Sequence, residues 1–511
     1  MIVSGPPVAV DVPPTLVHCL AGAAAAFADR PLLLDGATTV THREFAELVE
    51  GAALRLAEEG LRPGDRLAVA LRNGIDVAVA IYACARGGFV FVGLPTPLQA
   101  PQWRYLLEHS GARLVLASDE FLDRAREAGT PAAVRPVGDH LTGRREPWRA
   151  GAAPPVPEDV YAVVYTSGTT GRPKAAMLTQ RLTMTVAGSY RDLLALTPDD
   201  RTAIHLPFYY VSGHVSQLTP FLLAGGSVVL QPRFTPAGLV QSVREDGVTV
   251  IDVVPAMFEL LLREPGFTGA ELPGLRAAYY GGAPMPARTV AALRERLPAT
   301  ALYEIYGMSE TGGMITCLPD ADVGRRTGTV GRPVPGVAVR VAGAAGEVGE
   351  LAVRGPVVTP GYLGDEAATA AAITDGWLRT GDLARLHADG YVSLVGRAKD
   401  MISRGGVKVY PAELEALLAS HPAVAEAAVF GVPDALAGEA VAVCVVAAAG
   451  QTVDATALRS YVRDRMAAHA VPRHVRVVEA LPRNATGKVD KAALRRDVPP
   501  AVRAPPRPAH E

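Results

Sequence analysis

The stretch "YTSGTTGRPK", from Tyr165 to Lys174, places four hydroxyl side chains, two glycines and one lysine after the apolar run "YAVVY". Such a run is typical of a buried strand, and α/β folds bind ligands where their strands end. A Walker A loop would need its lysine directly after glycine, and here Arg172 and Pro173 intervene. Pro173 has no N–H and pushes Arg172 toward extended geometry, so this loop is of another kind. It can fold over a polyphosphate and offer hydrogen bonds and one positive charge. The candidate phosphate-binding residues are Thr166, Ser167, Gly168, Thr169, Thr170, Gly171 and Lys174.

Lysine is scarce in this chain. It occurs only at positions 174, 399, 408, 488 and 491, so arginine supplies the other 45 of the 50 basic residues. Where arginine is the default surface cation, the few lysines mark places that need a compact, flexible ammonium. For Lys408 and Lys491 an ordinary solvated charge explains the residue equally well.

The first half of the chain alternates helical and strand patterns. The segment "HREFAELVEGAALRLAEEG" predicts a helix that stops at glycine, and "RLAVAL" after it predicts a buried strand. The segments "VAVAIYACARGG" and "FVFVGL" repeat this order. Alternation at this spacing indicates an α/β architecture with largely parallel sheets.

The pattern of apolar residues, Gly and Pro changes twice along the second half of the chain. After about residue 325, short alternating runs with Gly and Pro predict a small β-rich subdomain, and from "LVGRAKDMISRGG" onward a compact α+β unit is expected. We predict a large N-terminal domain at 1–396, with two α/β sheets and the β-rich subdomain. A small C-terminal domain at 397–498, joined by a hinge, and a disordered Pro- and Ala-rich tail at 499–511 complete the prediction.

Composition excludes several classes of protein. The 511 residues are 49% hydrophobic and 20% charged, and no bilayer-length stretch is free of polar residues. The formal charge is -2 and no long basic block is present, which argues against a nucleic-acid partner. The start lacks the order of a signal peptide, so we expect a cytoplasmic protein. Cys19, Cys84, Cys317 and Cys444 lack zinc-site spacing and are expected to be buried free thiols.

Further segments extend the pattern of the opening loop along most of the chain. They are "YYGGAPM" at 279–285, "YEIYGMSET" at 303–311, "TGTVGRPVPG" at 327–336, "GELAVRGP" at 349–356, "GWLRTGDLA" at 376–384, "GRAKDMISRGGVKVYPAELE" at 396–415 and "LPRNATGKVDKAAL" at 481–494. Together with "YTSGTTGRPKAAMLTQ" they resemble, in order and wording, the adenylate-forming superfamily. That superfamily contains acyl-CoA synthetases, nonribosomal adenylation domains and beetle luciferases.

The resemblance implies a two-step reaction that uses ATP and Mg²⁺. A carboxylate attacks the α-phosphorus of ATP to give an acyl-adenylate and pyrophosphate, and a thiol then displaces AMP. Both steps gather negative charge, so a metal, lysines and oriented donors should dominate catalysis. The implied catalytic residues are Lys488, which would reach the α-phosphate and the carboxylate, Glu310 as the magnesium ligand, and Lys174.

The resemblance also implies roles for nucleotide-binding residues. Tyr306 matches the aromatic residue that stacks on adenine, Asp382 the carboxylate that holds the ribose hydroxyls, and Arg397 its partner. Lys399 falls at the hinge about which the C-terminal domain is understood to rotate. The remaining implied nucleotide-binding residues are Gly282, Ala283, Gly307 and Ser309.

The segment "HLPFYYVSGH" at 205–214 resembles the acyl-pocket motif of the superfamily. Many of its ligases have histidine where Tyr210 stands in this chain. Amino-acid adenylation domains usually place an aspartate here to hold the substrate ammonium, and residues 203–231 contain none. A fatty, aryl or other small-molecule acid without an α-ammonium is therefore favoured. The implied pocket residues are Tyr210, Val211, Gly213, Gly281 and Met308.

The thiol acceptor is expected in trans, because no carrier-domain serine motif follows Lys488. The segment "SRGGVKVYP", with Gly405 and Gly406, resembles the loop that lines the coenzyme A tunnel, although Arg404 and Val407 depart from the common wording. Coenzyme A is the first prediction and a carrier protein loaded by a freestanding ligase the second. A luciferase-type oxidation and a non-catalytic nucleotide-binding protein are further alternatives. The sequence is also compatible with a homodimer and with a role in secondary metabolism.

Overall fold

A computed structural model of the protein describes residues 1–8, 11–146, 155–166, 173–326, 328–342, 346–405, 407–434, 437–483 and 489–496. Several predicted functional residues, and the predicted tail at 499–511, lie outside the described residues. These functional residues are Ser167, Gly168, Thr169, Thr170, Gly171, Gly406 and Lys488.

The strands of the described chain are β1 Ile2–Ser4, β2 Pro31–Asp35, β3 Thr38–Thr41, β4 Arg66–Ala70, β5 Val90–Gly93, β6 Leu114–Ala117, β7 Ala133–Pro136, β8 Val160–Thr166, β9 Lys174–Thr179, β10 Arg201–Ile204, β11 Ser227–Leu230, β12 Val250–Val253, β13 Ala277–Gly281, β14 Ala301–Tyr306, β15 Thr316–Leu318, β16 Arg332–Pro333, β17 Ala338–Val341, β18 Val348–Arg354, β19 Ile373–Thr374, β20 Trp377–Leu386, β21 Val392–Arg397, β22 Ile402–Arg404, β23 Val407–Val409, β24 Val424–Asp434, β25 Gly438–Ala447 and β26 His474–Val477.

The helices are α1 Leu16–Ala26, α2 His42–Glu58, α3 Ile75–Gly87, α4 Ala100–Ser110, α5 Asp119–Glu127, α6 Gln180–Leu193, α7 Thr219–Ala224, α8 Pro236–Glu245, α9 Pro255–Leu261, α10 Ala287–Arg296, α11 Glu366–Ala372, α12 Pro411–Ala419, α13 Ala455–Arg463 and α14 Lys491–Arg496. A π-helical segment, Ser212–Leu218, precedes α7. Within the described ranges, no helix has the length and apolar character needed to span a membrane.

The chain divides into two compact units. One consists of residues 2–340 and 352–378, and the other of residue 1, residues 341–351 and the described residues from 379 onward. The division falls within β17, β18 and β20, which belong to a six-stranded sheet. The domain boundary at residue 397 stays a prediction.

The larger unit contains two sheets with parallel centres. One has nine strands in the order β16-β15-β14-β13-β12-β10-β11-β2-β3, and the other has six in the order β7-β6-β4-β5-β8-β9. Their central pairs are parallel, whereas β8 pairs antiparallel with β9 at the edge of the second sheet. The predicted α/β class is therefore confirmed, as are the predicted strands that became β4, β5 and β8.

Helix α3 shows why the sequence folds this way. Its residues Val77 to Ala85 are all buried, which fits an unbroken run of small and apolar side chains. The helix ends at Gly88, whose φ of 71° is the left-handed conformation that glycine adopts at little cost. Helix α2 begins with a capping box between Thr41 and Glu44, so both predicted helices are confirmed.

The smaller unit contains a five-stranded sheet in the order β23-β22-β25-β24, with β26 parallel to β25. Helices α12 and α13 pack their leucines against valines of this sheet to form a core. This agrees with the predicted α+β unit. The four cysteines of the whole chain are free and buried, as predicted.

Candidate active site

The predicted phosphate loop connects two antiparallel strands. Thr166 at the end of β8 pairs in register with Lys174 at the start of β9, and the Thr166 hydroxyl lies 3.5 Å from the Lys174 carbonyl oxygen. The Lys174 ammonium lies over the ring of Tyr362, 4.9 Å from its centroid. A lysine at this distance is attracted by the negative face of the ring, so Tyr362 positions the ammonium.

Tyr362 also contacts the predicted metal ligand. Its hydroxyl donates a hydrogen bond to Oε1 of Glu310, at 3.0 Å. Burial and the adjacent Glu310 carboxylate both raise the pKa of Tyr362 above its ordinary value, so the phenol keeps its proton and acts as a donor. One tyrosine therefore brings together two side chains, Lys174 and Glu310, that are 136 positions apart in the sequence.

The segment around Tyr362 is fixed to β9 and to the Glu310 turn. The Thr359 hydroxyl donates to the Met177 carbonyl, and the Thr359 N–H donates to the Glu310 carbonyl. The Met177 N–H donates in turn to the Gly361 carbonyl. Sequence reasoning missed Tyr362; its place between two glycines in "PGYLG" was the available signal.

Glu310 lies in a short 3-10 turn, Ser309–Thr311, directly after β14. The residue is only 6% exposed. Among the described residues, no donor contacts its second carboxylate oxygen, Oε2. A buried carboxylate with one oxygen held and one available suits a hard cation such as Mg²⁺, which needs one or two protein carboxylates beside phosphates. The residues present therefore fit the implied metal.

The glycines predicted at the nucleotide site show two different constraints. A Cβ atom on Gly281 would lie 2.3 Å from the Ile305 carbonyl oxygen, so β13 and β14 could not approach as they do with a larger residue. Gly282 has a φ of 79° and open space around it, which leaves room for a ligand beside the backbone. The neighbouring predicted residues are buried Tyr306, half-buried Gly307 and Ser309, and exposed Ala283.

The predicted acyl segment lies in the same unit. Tyr210 is half-buried, its N–H donates to the Pro207 carbonyl, and burial raises the pKa of its phenol to about 12. Val211 and Gly213 are buried at the start of the π-helical segment, a conformation often found at functional sites. Gly313 lies between Val211 and Met308. Its N–H donates to the Met308 carbonyl, and a Cβ atom on it would lie 3.3 Å from Val211 Cγ2.

Asn73 is a positioning residue that the sequence did not suggest. Its side-chain amide donates to the carbonyls of Leu206 and Gln231, and its oxygen accepts the N–H of Phe208. The asparagine is buried and thereby fixes the backbone that leads into the acyl segment.

In the smaller unit, Asp382 and Arg397 lie opposite each other on β20 and β21. The Arg397 Nε donates to Asp382 Oδ1 at 2.7 Å. The Asp382 N–H donates to the Thr380 hydroxyl, which fixes the backbone that carries the carboxylate. The structure therefore brings these two predicted nucleotide-binding residues together.

The predicted hinge and tunnel residues also lie in this unit. Lys399 is exposed in a 3-10 turn, Ala398–Asp400, between β21 and β22. Gly405 has a φ of 59° and no atom near its missing Cβ. Arg404, which departs from the common sequence of the tunnel loop, donates hydrogen bonds to the carbonyls of His469 and Val471. The arginine therefore has a structural role in this chain.

Comparison with known proteins identifies the family. Residues 20–363 match the family model of the AMP-binding enzyme, and residues 413–488 match the model of the AMP-binding enzyme C-terminal domain. The chain is 35% identical to a feruloyl-CoA synthase of an Amycolatopsis species, over 90% of this chain and 94% of that protein. It is 33% identical to the fatty acid–[acyl-carrier-protein] ligase ScoC of Streptomyces coeruleorubidus, over 91% and 93%.

A solved structure shows the same fold. The o-succinylbenzoate CoA synthetase MenE from Bacillus subtilis, in complex with an acyl-adenylate intermediate, superposes with a TM-score of 0.85. It is 31% identical, and the match covers 94% of this chain and 97% of that one. The resemblance and the fold class predicted from the motifs are therefore confirmed, and the chain belongs to the family of AMP-binding enzymes.

Proposed function

We propose that this enzyme activates a carboxylic acid without an α-ammonium, using ATP, and transfers the acyl group to coenzyme A. A carboxylate oxygen attacks the α-phosphorus, and pyrophosphate leaves. The thiol sulfur then attacks the acyl carbon of the adenylate, and AMP leaves. The observation that carries the proposal is the arrangement of Lys174, Tyr362 and Glu310 in an AMP-binding enzyme.

The three side chains divide the work at the phosphates. Tyr362 holds the Lys174 ammonium by its ring and one oxygen of Glu310 by its hydroxyl, so both charges are preorganised. Glu310 would hold Mg²⁺, which supplies charge neutralisation on the phosphates when bound. We assign Lys488 to the α-phosphate and the substrate carboxylate, and Asp382 with Arg397 to the ribose.

The acyl side supports an acid that lacks an α-ammonium. The side chains of Val211 and Met308 and the small Gly213 and Gly281 offer an apolar wall, as ligand pockets usually do. No acidic residue occurs between positions 203 and 231. We assign Tyr210 to the same pocket, where its neutral phenol takes the place of an imidazole.

Lys399 is proposed as the hinge, because it is an exposed residue in a short turn at the start of the predicted C-terminal domain. Gly405 and Gly406 are proposed to line the path of coenzyme A. A cytoplasmic location and a homodimer stay predictions.

A carrier protein is the second candidate acceptor. The observation in its favour is the relative ScoC, whose identity to this chain is close to that of the feruloyl-CoA synthase. The two acceptors carry the same phosphopantetheine thiol, so the adenylation residues do not separate them.

The test is acid-dependent release of pyrophosphate from ATP. Fatty, aryl and α-amino acids are supplied in parallel reactions, each with coenzyme A, with a phosphopantetheinylated carrier protein, or with neither. Mass spectrometry then identifies the thioester. Release with an aryl or fatty acid and a coenzyme A thioester is expected. Release only with α-amino acids would contradict the substrate class, and a thioester only on the carrier protein would favour the second candidate.

A further inference from the structure

Asp252 is a buried acidic residue in the middle of the nine-stranded sheet. It lies on β12, and only 7% of its surface is accessible. Among the described residues, none forms a hydrogen bond or ion pair with its carboxyl group. Burial is the single cause that raises its pKa well above the ordinary value. A buried polar group without a partner is costly, so its presence needs an explanation.

The side chain of Asp252 lies on the face of the sheet that the acyl segment covers. Asp252 pairs in register with Tyr279 on the parallel neighbour β13, and register partners point to the same face. The Tyr279 hydroxyl donates to the Ser216 carbonyl, which belongs to the π-helical segment. Tyr190 of α6 packs on the Tyr279 ring with centroids 5.3 Å apart, and the Asp252 charge contributes to the raised pKa of both phenols.

The same π-helical residue joins Asp252 to the proposed acyl pocket. A Cβ atom on Gly313 would lie 3.3 Å from both the Ser216 hydroxyl and Val211 Cγ2. Gly313 is also bonded to the carbonyl of Met308. Ser216, Val211 and Met308 therefore form one wall, and Asp252 lies behind the Ser216 end of it.

The described neighbours of Asp252 do not satisfy it. The Tyr279 hydroxyl donates its proton to the Ser216 carbonyl. The two described groups whose pKa the Asp252 charge raises, Tyr190 and Tyr279, are both phenols. Arg276, directly before β13, is bound to Asp200 instead. A valine at this position would pack in the sheet without the cost of burying a carboxyl group.

We infer that Asp252 accepts a hydrogen bond from a hydroxyl or amino group on the acyl substrate, remote from the carboxylate that reacts. This inference rests on the proposed function and narrows its substrate class to acids that carry a donor at their far end. The substrate would supply the donor that the described residues do not. An alkylamine would pair with Asp252 as an ammonium, whereas a hydroxyl or an arylamine would pair with it as a neutral donor.

The test uses matched acids that differ only in the terminal group. One series is 3-(4-hydroxyphenyl)-, 3-(4-aminophenyl)- and 3-(4-methylphenyl)propanoic acid, and the other is 6-hydroxyhexanoic, 6-aminohexanoic and heptanoic acid. Binding to the full chain is measured by calorimetry with a non-hydrolysable ATP analogue, and turnover by pyrophosphate release. We expect a preference of about 100-fold or more for a donor over its methyl counterpart, because a site built for a hydrogen bond rejects analogues that lack it.

Asp252→Val should abolish this preference and leave the methyl acids bound as well as before or better. Asp252→Leu, which keeps the branched shape of the side chain and has no acceptor, tests the same point if the valine variant does not fold. Tyr279→Phe is the matched control: it removes a buried neighbouring hydroxyl and should change all acids of a series equally.

Three results would overturn the assignment of Asp252. They are a wild-type preference for the methyl acids, equal losses for all acids in the Asp252 variants, and the absence of binding by every acid of both series. Selective binding of donor acids without any pyrophosphate release would instead contradict the proposed ligase function and leave the Asp252 assignment standing.

Discussion

Two groups of polar side chains differ in the partners that the protein gives them. On the nucleotide side, Glu310 accepts a hydrogen bond from Tyr362, and Asp382 accepts one from Arg397. Donors of this kind hold a carboxylate in one orientation. The anionic groups assigned to ATP, metal and ribose are therefore held in place by neighbouring strands and turns.

The acyl side is arranged in the opposite way. Both ring nitrogens of His205 and of His214 are buried without a hydrogen bond of good geometry, and Asp252 also has no described partner. Burial lowers the pKa of both histidines to about 4, so they are neutral at physiological pH. The residues assigned to ATP, metal and ribose are therefore positioned by donors, whereas the two histidines beside the proposed acyl pocket are neutral and have no such donors. We expect a single polar group to decide specificity on the proposed acyl side.

The largest effect is expected from Lys488 on the nucleotide side. Lys488→Ala should raise the activation free energy of adenylation by on the order of 3 kcal/mol or more. The variant lacks the ammonium that would donate to the negative charge developing in the transition state. Single-turnover formation of the acyl-adenylate measures this step separately from thioester formation.

Lys491→Ala is the matched control for Lys488→Ala. Lys491 lies three positions further along the chain, and its ammonium is paired with Glu415 at 2.7 Å. Its loss should change adenylation by less than about threefold, as expected for a partly exposed ion pair. Equal losses in the two variants would mean that the segment matters for folding and that Lys488 has no special role.

The next effect concerns the contact between Glu310 and Tyr362. Glu310→Gln should raise the Mg²⁺ concentration needed for half-maximal activity by at least roughly 10- to 100-fold, because the amide keeps the size of the side chain and loses the charge. Tyr362→Phe keeps the ring beneath Lys174 and removes only the hydroxyl, so its effect should be smaller. A magnesium titration of pyrophosphate release measures both. A larger shift for Tyr362→Phe than for Glu310→Gln would contradict the assignment of Glu310 as the ligand.

A smaller effect is expected from the neutral histidines of the acyl side. His205 has a pKa of about 4 in the folded protein and about 6.5 when unfolded. Its contribution to stability is complete above pH 6.5 and is lost as the pH falls toward 4, because the unfolded chain then binds the proton first. Between pH 7 and 5.5 the loss is about 1 kcal/mol.

His205→Leu should remove that loss. The free energy of unfolding of the variant, relative to wild type, should therefore rise by about 1 kcal/mol between pH 7 and 5.5 in denaturant titrations. The comparison with wild type is needed because burial raises the pKa of Glu304 to about 7, so the contribution of Glu304 to stability increases over the same pH range in both proteins. A difference that does not change with pH would mean that His205 is charged or solvated in the folded protein.

The sequence suggests candidate site residues where they lie in contiguous motifs. Four of these residues stand in segments whose sequences are specific to the superfamily: Gly281, Glu310, Asp382 and Arg397. Local apolar runs predict the strands that carry or precede them. The α/β class was predictable for the same reason, since the repeated helix and strand patterns of the first half need no tertiary information.

The residues that sequence reasoning missed act through contacts between distant segments. Asn73 and Asp252 stand in ordinary surroundings in the sequence, and Tyr362 is marked only by the glycines near it. Their significance depends on the fold. Tyr362 contacts Glu310, Asn73 bonds the backbone that leads into the acyl segment, and Asp252 is buried without a described partner. Side-chain direction on a buried strand depends on register, which no single segment of sequence specifies.

The smallest effect is expected at Tyr210, where many ligases of the superfamily have histidine. Its phenol has a pKa of about 12, so it stays protonated over any working range, and no described residue forms a side-chain hydrogen bond with it. Tyr210→Phe should therefore change kcat/KM for the preferred acid by less than about threefold. Tyr210→His should add a pH dependence near neutrality, because an imidazole titrates there. A loss of more than about 30-fold in Tyr210→Phe would show that the hydroxyl contacts the reacting groups. The neutral acyl side would then contain a catalytic donor, and its contrast with the charged nucleotide side would no longer hold.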